Sequence, residues 1–425
     1  MPANRIILTL GLTAALLSPI PTRADSLAAL TWEEARKMTG ETNPALEAQR
    51  EALEQARFNY QAARATYWPT ISGSAGYTRS DSDGQDGGPS DRASMGLSAQ
   101  YPLFSGFADR ARVQQSEAAL NRATADWIGA QADVSATLRR AFLRLLYAQE
   151  RVTMAESIAD RRSQNLDLVQ LRFDSGSENR GSLLRTKAAT SQAKSDLEQA
   201  RRGVAVQQRE LSNAMGQSDK DSWVVQGDWT SVEPETDPLW NELARATPSV
   251  RAAEASVESS KASVVIARGA IVPDLSLRGG IDRSGDDWPP DNDSWSIGAT
   301  LSVPLFAGGQ NINKLASANA ALRQSEAQLQ TAEQNALLDL KTAWTNLRDA
   351  QQRRTVQAEF LEASEVRAEI AREQYANGLL SFQNWDQIED ELIQSQQSLL
   401  SSDRDAAIAA AEWDRVRGIS IIPLP

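Results

Sequence analysis

The 425-residue chain has no cysteine and no histidine, and only 6% of its residues are aromatic. Without cysteine there are no disulfide staples and no amino-terminal lipid on a cysteine, so an exported chain of this kind must hold together by packing or assembly. Without histidine, Ser-His-Asp and Cys-His catalysis are excluded, together with the commonest transition-metal ligand. No phosphate-cradling glycine loop of the Walker type stands in their place. No catalytic residue, cofactor or metal ligand is therefore expected. Long apolar runs are missing as well: residues 264–272 are interrupted by Arg268, so any membrane insertion of the body of the chain must use strands. Basic residues are outnumbered by acidic ones, for a net charge of −12. That balance argues against nucleic acid, whose binding rests on Lys and Arg neutralising phosphates.

Residues 1–24 read as an export signal. Arg5 supplies the positive start, residues 6–17 the apolar stretch, and Thr22-Arg23-Ala24 the small-x-small cleavage pattern. The alternative is a retained anchor, but its apolar stretch of about twelve residues falls short of the roughly twenty that span a bilayer. Cleavage would start the mature chain at Asp25 and take its charge from −12 to −14.

The remainder is internally duplicated. After an amino-terminal segment, 25–42, with a short helical pattern from Thr31 to Met38 ending at Gly40, a first repeat covers 43–216. A linker, 217–246, carries three tryptophans; a second repeat covers 247–418 and a tail 419–425. Pro44 corresponds to Pro248 and Pro69 to Pro273 at an offset of 204, then Pro102 to Pro304, Gly176 to Gly378 and Gly216 to Gly418 at 202. The two-residue change falls in a strand hairpin, where loops tolerate it. In each repeat Asn43-Pro44 or Thr247-Pro248 opens a helix, with proline at the first helical position. Hairpins follow at 70–104 and 274–306, long helices at 105–173 and 307–376, and shorter helices at 181–215 and 383–416. Two shorter helices end to end nearly match one long one. Leu329, Ala332, Ala336, Leu340, Ala343 and Leu347 supply a coiled-coil seam, which by itself also fits a coiled coil without a channel.

The strands alternate. Trp295, Ile297, Ala299, Leu301 and Val303 share one face, and Ser294, Ser296, Gly298, Thr300 and Ser302 the other. This apolar-out, polar-in pattern is that of a membrane barrel strand; a sheet covered on one face in a soluble protein is the alternative. Four strands cannot close a barrel, so several chains must contribute. A dimer would give eight strands and a trimer twelve, and only the larger ring leaves room for a lumen. Pro69, Pro102, Gly106, Pro273, Pro304 and Gly308 mark the points where helix gives way to strand and strand to helix.

The pattern Asn43-Pro44, Trp68-Pro69, hairpin, Tyr101-Pro102-Leu103-Phe104-Ser105-Gly106, long helix and Phe173-Asp174-Ser175-Gly176 resembles the TolC-type outer membrane efflux proteins. So does its second copy, Thr247-Pro248, Val272-Pro273, Val303-Pro304-Leu305-Phe306-Ala307-Gly308-Gly309 and Tyr375-Ala376-Asn377-Gly378. The resemblance implies a mainly α fold with a small β part. Four strands per chain would form a homotrimeric twelve-stranded barrel in outer membrane lipid, above a twelve-helix periplasmic tunnel. Implied partners are a periplasmic adaptor and an inner-membrane efflux pump or ABC exporter, with the chain as passive exit duct of tripartite efflux or type I secretion.

The same resemblance places Gly176, Ser177, Gly378, Leu379 and Leu380 at helix tips that dock the adaptor; both glycines also serve simply to end helices. It places the pore constriction at Asn384 and Gln387, in place of the family's common acids. Asp386, Glu389, Asp390 and Glu391 lie nearby as negative charge or as a solvated helix face. Phe382, Trp385, Ile388 and Leu392 are expected on the packed side. Tyr375 matches an entrance latch, but Leu380 and Ser182 replace the usual charged companions, so packing or another polar contact must hold the entrance. Trp68, Trp288 and Trp295 are candidates for anchoring at the membrane interface. A periplasmic coiled-coil adaptor or structural protein is the rival reading, and it lacks the alternating hairpins; an enzyme comes third.

Overall fold

The computed structural model describes residues 29–81, 89–217, 222–229 and 238–422. The expected export signal lies outside them, as do part of the first hairpin loop and parts of the linker and tail. A parallel pair, β1 (Leu30–Thr31) with β4 (Val225–Gln226), ties the amino-terminal segment to the linker. The helix α1 (Trp32–Thr42) starts on a capping box, in which Thr31 and Glu34 satisfy each other's backbone N–H groups. It continues past Gly40, where the sequence suggests a stop. The Asn43 N–H still closes on the Thr39 carbonyl at 3.0 Å, so the helix ends at the next cap and not at the glycine.

Asn43 then caps α2 (Pro44–Arg64), accepting from the Ala45 and Leu46 N–H groups at 2.9 and 3.2 Å. A 3₁₀ turn, Ala65–Tyr67, leads into β2 (Thr70–Ser80), and β3 (Ser90–Phe104) runs back to α3 (Ala108–Asp174) and α4 (Arg180–Met215). The second repeat has α5 (Trp240–Ala246) before α6 (Pro248–Gly269). Then come β5 (Asp274–Gly285), β6 (Asn292–Ser302), α7 (Gln310–Ala376) and α8 (Phe382–Val416).

The long helices α3 and α7, 67 residues each, extend about 100 Å at 1.5 Å per residue. The shorter helices do stack end to end. Gly216 turns left-handed (φ 75°) after α4, and Asn43 Nδ2 and Thr42 Oγ1 donate to the Ala214 and Met215 carbonyls, each at 2.8 Å, so α4 abuts the start of α2. Gly418 (φ 74°) meets Pro248 at the start of α6 in the same way. Apolar cores sit where these stacks cross the long helices. Leu138, Phe142, Leu145, Leu211 and Met215 form one, and Leu340, Leu347, Val250 and Trp413 another.

The two long helices differ in their surroundings. Among the described residues α3 packs against α2, α4, α6 and α8, whereas α7 packs against α6, α8 and the short α5. Along α7, Ile312, Leu338, Phe360, Val366 and Ile370 stay exposed.

Candidate channel wall and entrance

The four long strands form one antiparallel sheet in the order β2-β3-β5-β6, the two hairpins joined through β3 and β5. Register sorts the side chains by face, since neighbours along a strand alternate. Ile71 lies opposite Ala99, Leu97 opposite Ile281, Leu277 opposite Ala299 and Ile281 opposite Trp295, all on one face. The other face carries Ser72, Ser98, Arg278, Ser276 and Thr300. Trp295, Ile297 and Leu301 are 77%, 71% and 64% exposed, so nothing among the described residues covers the apolar face. The soluble-sheet alternative requires a cover, and the described residues supply none. Both edges, β2 and β6, are open. Among the described residues no helix is long and apolar enough to cross a membrane.

The strand-to-helix junctions are tighter than their proline and glycine signals suggest. Register slips between Pro102 and Phe104, a bulge that bends β3. Two successive left-handed residues then turn the chain, Gly106-Phe107 in one repeat and Gly308-Gly309 in the other, so the long helices start three residues later than the sequence reading has them. Phe107 (φ 65°) carries a left-handed strain that glycine would avoid, offset in part by an edge-on contact with Phe104, centroids 5.5 Å apart. The copies are not equivalent. Gly106 packs so closely on Gly269 and Val272 that a Cβ would fall 2.3 Å from the valine Cγ2, while Gly308 has no neighbour within 4 Å of such a Cβ. Leu305 and Phe306 beside it are 91% and 89% exposed. Pro69 follows the extended Trp68 and Pro273 directly precedes β5, each where helix passes into strand.

At the opposite end, Gly176 and Gly378 (φ 77° and 75°) close α3 and α7 with the same pair of backbone hydrogen bonds. Gly176, Ser177, Gly378 and Leu379 are exposed. Leu380 is not a free tip residue: it is half-buried in a cluster with Val169, Leu183, Ala371, Tyr375 and Trp385. A cleft of about 870 Å³ between the starts of α4 and α8 is lined by Ser177, Leu380, Asp386, Gln387 and Asp390, bringing tip and constriction candidates together.

Asn384 and Gln387 project from the first two turns of α8 and are exposed. The acids behind them are already engaged. Asp386 pairs with Arg185 at 3.0 Å and with Arg162 at 3.6 Å, and Asp390 with the same two arginines. Glu391 pairs with Arg367 at 2.7 Å. Glu389, expected as free negative charge near the pore, is fully buried. It takes a bidentate hydrogen bond from Arg161 (2.7 and 2.9 Å) and another from Asn165 (3.0 Å). Burial alone would raise its pKa; Arg161, with Asn165 and Arg162, outweighs that and holds it below the usual carboxylate range. Trp385 and Leu392 are buried and Phe382 and Ile388 half-buried, on the packed side as their spacing suggests.

Tyr375 is fully buried, stacked on Trp385 at 4.3 Å and edge-on to Phe382. Its hydroxyl donates to Glu178 at 3.0 Å. The Arg172 guanidinium lies 4.7 Å over its ring and donates to its carbonyl at 2.7 Å. Burial, then Glu178, pushes the phenol pKa up, so the hydroxyl stays a donor. For Glu178, burial pulls upward, but the hydrogen bonds from Asn179, Ser182 and Tyr375 and the nearby Arg172 prevail and lower it. An acid one turn before Ser182 thus meets the tyrosine. Sequence reasoning missed Glu178, Arg161, Arg162, Asn165 and Arg185 because their partners lie about 200 residues away. A signal lay in the doublet Arg161-Arg162, which has no acid three or four residues away on its own helix to pair with.

The model of the outer membrane efflux protein family matches residues 36–217 and 239–418. The chain belongs to that family. It is an outer membrane protein of the efflux-channel class, with the mainly helical fold and small strand part that the sequence suggests. The cation efflux system protein CusC of Escherichia coli strain K12 is 24% identical over 270 residues, 60% of this chain and 57% of that protein. The cobalt-zinc-cadmium resistance protein CzcC of Cupriavidus metallidurans is 25% identical over 325 residues, 72% of this chain and 74% of that one. Crystal structures of CusC, described as revealing changes that accompany folding and transmembrane channel formation, superpose with a TM-score of 0.83 at 17% identity. They cover 96% of this chain and 99% of theirs.

Proposed function

We propose that this protein is the passive exit duct of a tripartite efflux or type I secretion system, closed by three copies of the chain. The observation that carries this reading is a sheet with one lipid-compatible face, one polar face and two open edges. An open edge is intolerable in lipid, and edge β6 of one copy against edge β2 of the next closes a twelve-stranded ring. The helices repeat the argument. Among the described residues α3 has a neighbour on each flank and α7 lacks one; a second copy's α2 supplies it, in a twelve-helix tunnel.

In this duct Asn384 and Gln387 line the narrow periplasmic entrance, with Asp386 and Asp390 behind them held by Arg162 and Arg185. Tyr375 latches the second helical hairpin to the first through Glu178. The tips at Gly176, Ser177, Gly378 and Leu379 dock a periplasmic adaptor, which couples the duct to an inner-membrane pump or ABC exporter. Relatives named for cation efflux and metal resistance make metal cations the first cargo to try. Single-channel recording in planar bilayers tests the entrance: Asn384→Ala, Gln387→Ala and Asp386→Ala should each change conductance or cation selectivity. Wild-type behaviour in all three would reject the constriction. Native mass spectrometry showing a monomer or dimer as the membrane-inserted form would reject the duct.

A further inference from the structure

The apolar face of the sheet ends, away from the helices, on the same arrangement in both hairpins. In the first, Tyr77 lies opposite Ala93 and the next pair outward on that face is Arg79 opposite Asp91. In the second, Ile281 lies opposite Trp295 and the next pair is Arg283 opposite Asp293. Arg79 Nε stands 3.7 Å from Asp91. Arg283 meets Asp293 through two nitrogens, Nη2 to Oδ2 at 3.1 Å and Nε to Oδ1. Both arginine side chains remain largely in the open, 63% and 56% exposed, and so do Tyr77 and Trp295.

Their height is informative. Ten residues separate Pro69 from Arg79, and ten separate Pro273 from Arg283. At about 3.3 Å per residue and a strand tilt of about 40°, that is about 25 Å, the height of the apolar band on an outer-membrane barrel. With the proline level at the inner boundary, the arginines reach the outer headgroups. An aromatic ring sits one pair below each of them, at the depth where amphipathic rings settle.

We propose that these two rim clusters, Tyr77 with Arg79 and Asp91, and Trp295 with Arg283 and Asp293, bind the phosphate of a phosphorylated lipid headgroup in the outer leaflet. The guanidinium fork matches a phosphate bidentately. Its aspartate partner keeps it aimed and balances its charge while the strand crosses the apolar layer. If the pairs acted only as cross-strand staples, they would be indifferent to lipid chemistry. Arg278, on the polar face of the same sheet, is the internal control. This inference rests on the barrel reading, in which the apolar face meets lipid.

The test uses the full-length protein reconstituted into phosphatidylcholine vesicles that contain a bis-phosphorylated glycolipid or its dephosphorylated analogue. Flotation reports insertion and native mass spectrometry reports retained glycolipid. Wild type and Arg278→Gln should retain the phosphorylated form about tenfold over the analogue, and Arg79→Gln/Arg283→Gln should lose that preference while still floating. Equal retention by the double variant overturns the proposal. So does complete displacement by millimolar inorganic phosphate, which would mean that free phosphate is the ligand. A wild type that fails to float overturns the barrel reading, and this proposal with it.

Discussion

Replacing Glu389 by glutamine tests whether the buried network joins the two helical hairpins. The carboxylate side chain is 1% exposed and takes two hydrogen bonds from Arg161, whose side chain is 29% exposed, plus one from Asn165. Glutamine keeps the shape and one acceptor oxygen but removes the charge, stranding a guanidinium that is mostly out of water. Breaking a fully buried ion pair costs about 3–5 kcal/mol. Arg161 retains some access to solvent and glutamine still accepts one bond, so about 2–3 kcal/mol is expected here. Denaturant titration of the purified protein at pH 7 reads that loss, and planar-bilayer recording should show longer open times, since Arg161 and Glu389 tie α3 to α8 beside the entrance. The pH dependence fixes the sign. The folded pKa of Glu389 is depressed, so its contribution is complete above the unfolded value, about 4.3, and disappears as pH falls through the lower folded value. Wild type and variant should therefore converge in stability below that range. A stability loss under about 0.5 kcal/mol at neutral pH, with unaltered gating, would refute the reasoning.

Other consequences follow from neighbouring features. Leu305→Asp with Phe306→Asp removes two of the most exposed apolar side chains at the open junction. If a second copy buries them, each forfeits about 1.5–3 kcal/mol of burial per chain, and native mass spectrometry should show monomers where wild type gives trimers. Tyr375→Phe deletes the hydrogen bond to Glu178 while keeping the stack on Trp385; a loss of about 1–2 kcal/mol by thermal unfolding is expected, with a more easily opened channel in bilayers. Gly216→Ala sets a Cβ 2.5 Å from the Thr42 carbonyl oxygen in a left-handed residue. It should cost about 2 kcal/mol or more and lower the yield of folded protein, whereas Gly203→Ala, with no neighbour within 4 Å, should not.

The helical hairpins, the four strands and their apolar face were legible because each rests on local signals: proline at a helix start, glycine after a helix end, and period-two alternation. The end-to-end stacking followed from nearly matching helix lengths. What stayed hidden depends on encounters between distant residues. Helical spacing puts Glu389 on the packed stripe, four residues after Trp385 and three before Leu392, but its partner Arg161 lies 228 residues earlier and gives no local signal. The two-residue left-handed turn at Gly106-Phe107 was masked by its second member, since a phenylalanine gives no turn signal.

Duplication both revealed the architecture and concealed its asymmetry. Two repeats in register suggest equivalent surroundings, and the structure denies this at the junctions. Gly269 and Val272 pack Gly106, whereas no described residue comes within 4 Å of a Cβ built at Gly308. The repeat offset of 204 maps Gly269 and Val272 back onto Ala65 and Trp68, at the end of α2. Trp68 is itself 74% exposed at the far edge of the sheet, just before β2. One chain thus carries a filled joint, an open one and, at the opposite edge of the sheet, the repeat-equivalent of the filling piece. If the proposed ring of copies brings the last two together, closing the joint and closing the barrel are the same event. On that argument Trp68→Ala should weaken assembly as Phe306→Asp does, and the double variant should cost less than the sum of the two, the coupling expected of residues in contact across an interface.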